Sequence, residues 1–260
     1  MDDNVRPRRC FISALAAGFL APAIARAAES QPPAQGDEAA RKLVAQADAI
    51  RFPRESFQSD ITITNFSDGQ AGDERKYRIL SRGNEDTIVL TVEPASERGQ
   101  ALLMRGRDLW VFMPSVSQPV RLSLAQRLTG QVANGDLARA NFSGDYRSVI
   151  VGADTLDGVA TQVLDLAAVD RSVTYAKVKY WVAQKDARPI QAEFYALSGR
   201  LLKTCRYEEF RPLAGQTRPT RLVMEDALKK GDKSVLVYES MQLRELPERM
   251  FTREYLRRLD

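Results

Sequence analysis

From Arg54 onward the chain is a succession of short apolar segments broken at nearly even intervals by turn residues, and this rhythm leaves few folds open. Extended segments are predicted near 57–66, 74–82, 86–93, 99–105, 108–113, 146–152, 158–167, 174–183, 189–197, 200–210, 217–227 and 233–245. The turns between them include Asp68-Gly69, Arg82-Gly83-Asn84, Arg105-Gly106, Asp157-Gly158, Lys185-Asp186, Ser198-Gly199 and Lys230-Gly231-Asp232. Hairpin spacing of this kind predicts a meandering antiparallel sheet. Ala176, Val178, Tyr180 and Val182 alternate with Lys177 and Lys179, and Ile190, Ala192, Phe194 and Ala196 with Gln191 and Glu193, so part of the sheet has one wet face.

Other strands are apolar on both sides. Trp110 and Phe112 oppose Leu109, Val111 and Met113; Tyr175 and Trp181 interrupt a charged face; Leu201-Leu202 and Val237-Tyr238 are adjacent pairs. Such strands need cover on both faces. The predicted fold is therefore mainly β with some α: a curved antiparallel sheet, an incomplete β-barrel, with a few helices on its concave face. Whether that face is filled by the helices alone or also by a ligand is left open by the residues.

Two segments have the pattern of a cover. Glu38 to Ile50 places Ala39, Leu43, Val44, Ala47 and Ile50 on one helical face, with Asp37 as its cap and Phe52-Pro53 as its stop. After the strand Asp108–Met113 and a turn from Pro114 to Pro119, the chain is extended through Val120 to Leu122. Apolar residues then fall at 122, 124, 128 and 132, closer to helical spacing, and a second group follows at Leu137, Ala138, Ala140 and Phe142.

Residues 1–27 read as an export signal. Arg6, Arg8 and Arg9 form a basic start, Phe11 to Ile24 a short apolar run, and Ala25-Arg26-Ala27 a small-x-small cleavage site. Arg8-Arg9-Cys10-Phe11-Ile12 also fits a twin-arginine pattern. Residues 28–37 are a polar, Pro-containing leader and 38–260 the folded domain. The removed part carries four arginines against two aspartates, so the net charge falls from +4 to +2, unlike that of a nucleic-acid binder. Cys205 alone remains, so no intramolecular disulfide forms in the mature chain.

The chain has no histidine. This removes Ser-His-Asp and Cys-His nucleophile systems and His-ligated metals, and one cysteine makes no thiolate zinc site. The acidic residues sit mostly in turns or alternate outward, as on solvated faces. Gly69–Gly72, Gly130–Gly135 and Gly152–Gly158 lack the context of a phosphate loop. No cofactor is expected. A β-shell with an apolar interior and an export signal suggests a carrier or sensor of an apolar ligand.

The stretch LWVFMPSVSQPVRLSLAQRLTG followed by GDLARANFSGDY resembles the central signature of the outer-membrane lipoprotein-sorting (LolA-like) proteins. There a W-x-aromatic-x-P strand end leads to V-R-x-(I/L)-S and then a loop rich in small residues. LPERMFTREYLRRL, Leu246 to Leu259, is similar to the family's closing segment, so the resemblance covers roughly residues 40–260. It implies a periplasmic half-barrel, without cofactor or reaction, that binds acyl chains of a lipoprotein or lipid for transfer towards the outer membrane. An inner-membrane RND-type exporter is an implied further partner. By this resemblance Trp110, Phe112, Val120, Leu122 and Leu124 line or close the cavity, and Leu128 and Phe142 of the same covering segment join them. Two alternatives stand beside it. One is a periplasmic lipid-sensing regulator or exporter accessory protein. The other is a carboxylate-based glycosidase or lyase on a β-scaffold, which requires two carboxylates converging in a cleft.

Overall fold

The computed structural model describes Met1 and residues 37–116, 118–139 and 141–256. The expected export signal and nearly all of the leader lie outside them. The first element is helix α1, Glu38–Arg51, capped by Asp37, whose carboxylate accepts the Ala39 N–H at 2.9 Å. The helix ends where Phe52, followed by Pro53, turns extended. Its buried face is Ala40, Val44, Ala47, Asp48 and Arg51, rotated from the expected stripe, so that Ala39 is exposed and two charged side chains point inward.

Among the described residues, twelve longer strands and one short strand form a single antiparallel sheet. The first six run in chain order: β1 Phe57–Ser67, β2 Gln70–Arg82, β3 Asp86–Glu93, β4 Ala101–Arg105, β5 Asp108–Phe112 and β6 Val120–Leu122. A two-stranded hairpin, β7 Arg127–Thr129 with β8 Val132–Ala133, stands apart from the sheet and leads to short helices α2, Asn134–Ala138, and α3, Phe142–Asp145. The chain then returns through β9 Tyr146–Leu156, β10 Val159–Ala168, β11 Lys177–Ala183, β12 Pro189–Tyr195, β13 Leu201–Leu213, β14 Gln216–Asp226 and β15 Lys233–Leu243.

The spatial order is β6-β5-β4-β3-β2-β1-β15-β14-β13-β12-β11-β10-β9. The first and last strands thus pair at the centre, Phe57 opposite Leu243, while β6 and β9 are the two edges and the sheet does not close into a barrel. Register shifts at Asp60/Ile61, Lys76/Tyr77 and Val163/Leu164 are the bulges that let so wide a sheet bend.

This topology decides what residues 123–145 do. They connect one sheet edge to the other, and they do so across the concave face. There α1 packs on β9, β11, β12 and β14, while α2 packs on β2 and β3. The helical spacing expected from Leu122 is overturned: the segment is a turn, a small hairpin and two short helices. The turn is held by Ser123 and Gln126, whose side chains accept the N–H groups of Ala125 at 3.2 Å and Ser123 at 2.7 Å.

Candidate functional site

Strand alternation sorts the side chains of β2–β5 onto two faces. Tyr77, Ile79, Val89, Leu102, Met104, Leu109 and Val111 face inward to the main core with α1, Leu124, Val132, Leu137 and Phe142. Leu80, Ile88, Ala101 and Leu103 face outward and are covered by the C-terminal segment through Leu246, Phe251 and Leu256 of α4, Arg253–Leu256. Trp110 and Phe112 belong to this outer cluster. Their expected place in one concave lining with Leu122 and Leu124 is thereby corrected, because the residues between them, Leu109 and Val111, point inward and a strand alternates. The Arg253 guanidinium lies 5.6 Å from the Trp110 ring.

Of the other expected lining residues, Leu124 and Phe142 are buried in the inner core and Leu122 and Leu128 pack against it. Val120, on the edge strand, is 45% exposed and outside that core. The structure thus brings together Leu122, Leu124, Leu128 and Phe142. An apolar cleft of about 130 Å³ runs between Leu122 and Leu128 on one side and Tyr77, Val89, Leu102 and Val111 on the other.

The cover is pinned by polar contacts at its hairpin and at its far end. At the hairpin, Asn65 donates to Thr129 Oγ1 at 2.8 Å, Ser234 donates to Asn65 Oδ1 at 2.6 Å, and Gln131 N–H donates to Ser234 Oγ at 2.9 Å. Gly130 lies over this cluster at φ 48°, where a Cβ would stand 1.9 Å from Asn65 Oδ1, so the seat admits glycine alone. Next to it Lys203 of β13 donates to Asp136 of α2 at 2.6 Å and to Gln131 O, with only 5% and 6% of the two charged side chains exposed. Asp136 also accepts Tyr175 OH at 2.8 Å and the Ala133 N–H at 2.8 Å, so it caps α2 and anchors it at once. At the far end Arg139 donates to Asp145 at 2.5 and 2.8 Å and to Glu85 at 3.0 Å, Arg107 donates to Asp145 at 2.9 Å, and Ser143 N–H donates to Asp48 at 2.8 Å.

Deeper in, the concave face is aromatic. Phe142 meets Tyr146, Tyr180 and Phe194 edge-on with ring centroids 5.4 to 6.5 Å apart. Burial holds the Tyr175 and Tyr207 hydroxyls well above the usual phenol range and pushes the Cys205 thiol up to about 12, so these groups stay neutral. Burial likewise pushes the Asp48 carboxyl up to about 6 against the opposing pull of Arg51. The interior carboxylates Asp136 and Asp145 are each clasped by a cation. Such an interior supplies apolar area and neutral hydroxyls; among the described residues no group of three or more Cys, Asp or Glu is placed to hold a metal ion.

The charged residues of the interior were not among the expected site residues, although their positions carry a signal. Lys203 has the strand parity of Cys205 and Tyr207, and Asp48 and Arg51 follow Val44 at helical spacings of four and seven. A charge in phase with an apolar face is the mark of a buried charge.

A crystal structure of a LolA superfamily protein from Nitrosomonas europaea is 58% identical, covering 83% of this chain and 98% of its own, with a TM-score of 0.79. The chain belongs to the LolA superfamily. A family model described as "Uncharacterized protein" matches residues 83–258. The same fold occurs at 19% identity in a domain named for outer membrane lipoprotein sorting from Vibrio parahaemolyticus and in a DUF1329 family protein from Desulfovibrio piger. Each has a TM-score of 0.73 and covers 85% of this chain and 99% of its own. No curated protein matches the chain.

Proposed function

We propose that this LolA superfamily member is a periplasmic carrier that takes up the acyl chain of a lipoprotein or lipid between its concave face and the segment 123–145, for transfer towards the outer membrane. The observation that carries this reading is the way the cover is held. It joins the two sheet edges and is pinned from its hairpin onward by hydrogen bonds and ion pairs, while its beginning leaves an apolar cleft beside Leu122 and Leu128. Polar latches exchange for water at small net cost, about 1 kcal/mol per hydrogen bond, whereas the face beneath gains roughly 25 cal/mol for each Å² of apolar surface kept from water. An acyl chain replaces the cover on that face and keeps it dry while the cover swings out. The inner-membrane exporter remains a partner that the resemblance implies.

The test is displacement of the neutral dye N-phenyl-1-naphthylamine from periplasmic protein by fatty acids and lysophospholipids, with mass spectrometry of organic extracts from the same protein. Displacement by acyl ligands and a co-purified acyl lipid are expected; no displacement and a lipid-free extract would refute the carrier.

A further inference from the structure

The innermost part of the concave face contains polar groups that the fold leaves without partners. Arg51 closes α1 on its buried side, 7% exposed, with its guanidinium 4.4 Å from the Phe142 ring centroid and 5.6 Å from that of Tyr207. Its Nη1 stands 3.7 Å from Asp48 Oδ1, an ion pair beyond hydrogen-bond distance, and among the described residues neither atom has a hydrogen-bond partner. The hydroxyls of Tyr146 and Tyr180 are buried and, among the described residues, make no hydrogen bond of normal geometry; the Tyr175 backbone lies near the first and the Arg51 guanidinium near the second. Their rings both pack on Phe142, at 5.4 and 5.5 Å. Buried polar atoms are nearly always paired, and four such atoms in one interior, three of them on side chains packed on the Phe142 ring, call for a cause. The fold is able to satisfy charge in the same interior, as Lys203 with Asp136, Gln131 and Tyr175 shows.

Three of the four orphans are donors or can be: a guanidinium N–H and two phenol O–H groups. Their complement is an acceptor-rich group, and a guanidinium fork suits a carboxylate or phosphate best. We propose that Arg51, with Tyr146 and Tyr180, is the receptor for an anionic head group, a carboxylate or phosphate monoester at the end of an acyl chain; this rests on the carrier reading above. The free volume beside Arg51, Phe142, Tyr146 and Tyr207 is about 10 Å³, room for one water molecule and no head group; Asp136 and Asp145 line it too, their charges held by Lys203 and Arg139. Entry therefore requires Phe142, which sits on the cover, to move. Asp48, whose carboxyl burial pushes up to about 6, takes up a proton as the anion arrives and leaves the guanidinium to it. The chain then lies along the apolar side chains of the same wall.

The experiment compares displacement of N-phenyl-1-naphthylamine by dodecanoate, dodecyl phosphate and dodecanol in the wild type, Arg51→Gln and Tyr180→Phe, with circular dichroism as the folding control. The wild type is expected to bind one or both anions about tenfold or more tighter than dodecanol, the scale of a hydrogen bond to a charged group. Arg51→Gln brings that ratio close to one while dodecanol binding persists. Tyr180→Phe removes a hydroxyl that makes no hydrogen bond of normal geometry, keeps the fold even where Arg51→Gln does not, and lowers the ratio several-fold. The better of dodecanoate and dodecyl phosphate assigns the source as a fatty acid or a phospholipid-type acid, and inorganic phosphate is expected to displace nothing. Equal binding of dodecanoate, dodecyl phosphate and dodecanol by the wild type, or an undiminished ratio in folded Arg51→Gln or in Tyr180→Phe, overturns the head-group site and leaves the carrier standing. Failure of every amphiphile to displace the dye overturns both.

Discussion

The two faces of β2–β5 are covered in opposite ways. Outside, Leu80, Ile88, Ala101 and Leu103 meet Leu246, Phe251 and Leu256, hydrocarbon against hydrocarbon. Inside, the same strands meet a cover whose seat includes a buried Lys203–Asp136 pair, and further along the concave face lies a buried Arg51 with unpartnered hydroxyls around it. Buried ion pairs recover their desolvation cost only in part, and orphan hydroxyls recover none of it. The outer clasp is thus built for stability, and the inner one gives stability up. Departures of that kind concentrate where a protein does its work.

The comparison is broken most forcefully from the outer side. Phe251→Ala empties a fully buried site and is expected to cost about 4 kcal/mol in urea unfolding, while the folded fraction binds acyl ligands unchanged. On the inner side Lys203→Met leaves Asp136 buried with only Tyr175 and the Ala133 N–H, for an expected loss of about 3 kcal/mol that a second substitution, Asp136→Asn, partly restores. The sign of the pH dependence separates the faces further. Asp48 keeps its proton up to about 6 in the fold, against 3.8 as its ordinary value, so the fold binds a proton that the unfolded chain releases. This group favours folding increasingly as pH falls from about 6 towards 3.8 and exacts its full cost, on the order of 2 to 3 kcal/mol, above about 6. Carbon-13 NMR titration of the Asp48 carboxyl should give a midpoint near 6, and Asp48→Asn should remove that part of the pH profile of stability. Phe112→Asp, on the half-buried outer face, is expected to cost about 2 kcal/mol and to leave ligand affinity within a factor of about two, which calorimetric melting and dye displacement check together.

Much of this architecture was legible in the chain because its signals are local. Alternation along β11 and β12, paired turn residues such as Asp68-Gly69 and Asp157-Gly158 at positive φ, and the Asp37 cap each depend on a few neighbouring residues. The cover was less legible. Leu124, Leu128 and Val132 mimic helical spacing although a hairpin runs through them, since three apolar residues facing one core from a turn and two strands can fall at spacings of four by accident. The parity of Trp110 and Phe112 was undetermined for a different reason: β5 is apolar on both faces, and only the C-terminal segment, more than a hundred residues away, decides which face is which. Buried charges at Arg51, Asp48 and Lys203 are harder to read, because a charged residue is usually solvated and only its phase with apolar neighbours tells otherwise.

The central claim, that the cover must leave the concave face for a ligand to enter, is tested by locking it. A Cβ on Gly135 of α2 would lie 3.0 Å from Thr174 Cβ, close enough for Gly135→Cys with Thr174→Cys to form a disulfide after a shift of about half an ångström, while Cys205 is buried and its thiol stays protonated. Acyl-ligand binding by the double variant is then measured by dye displacement before and after reduction. The account predicts little or no binding in the oxidised form and recovery on adding dithiothreitol; full binding by the oxidised, cross-linked protein would contradict it.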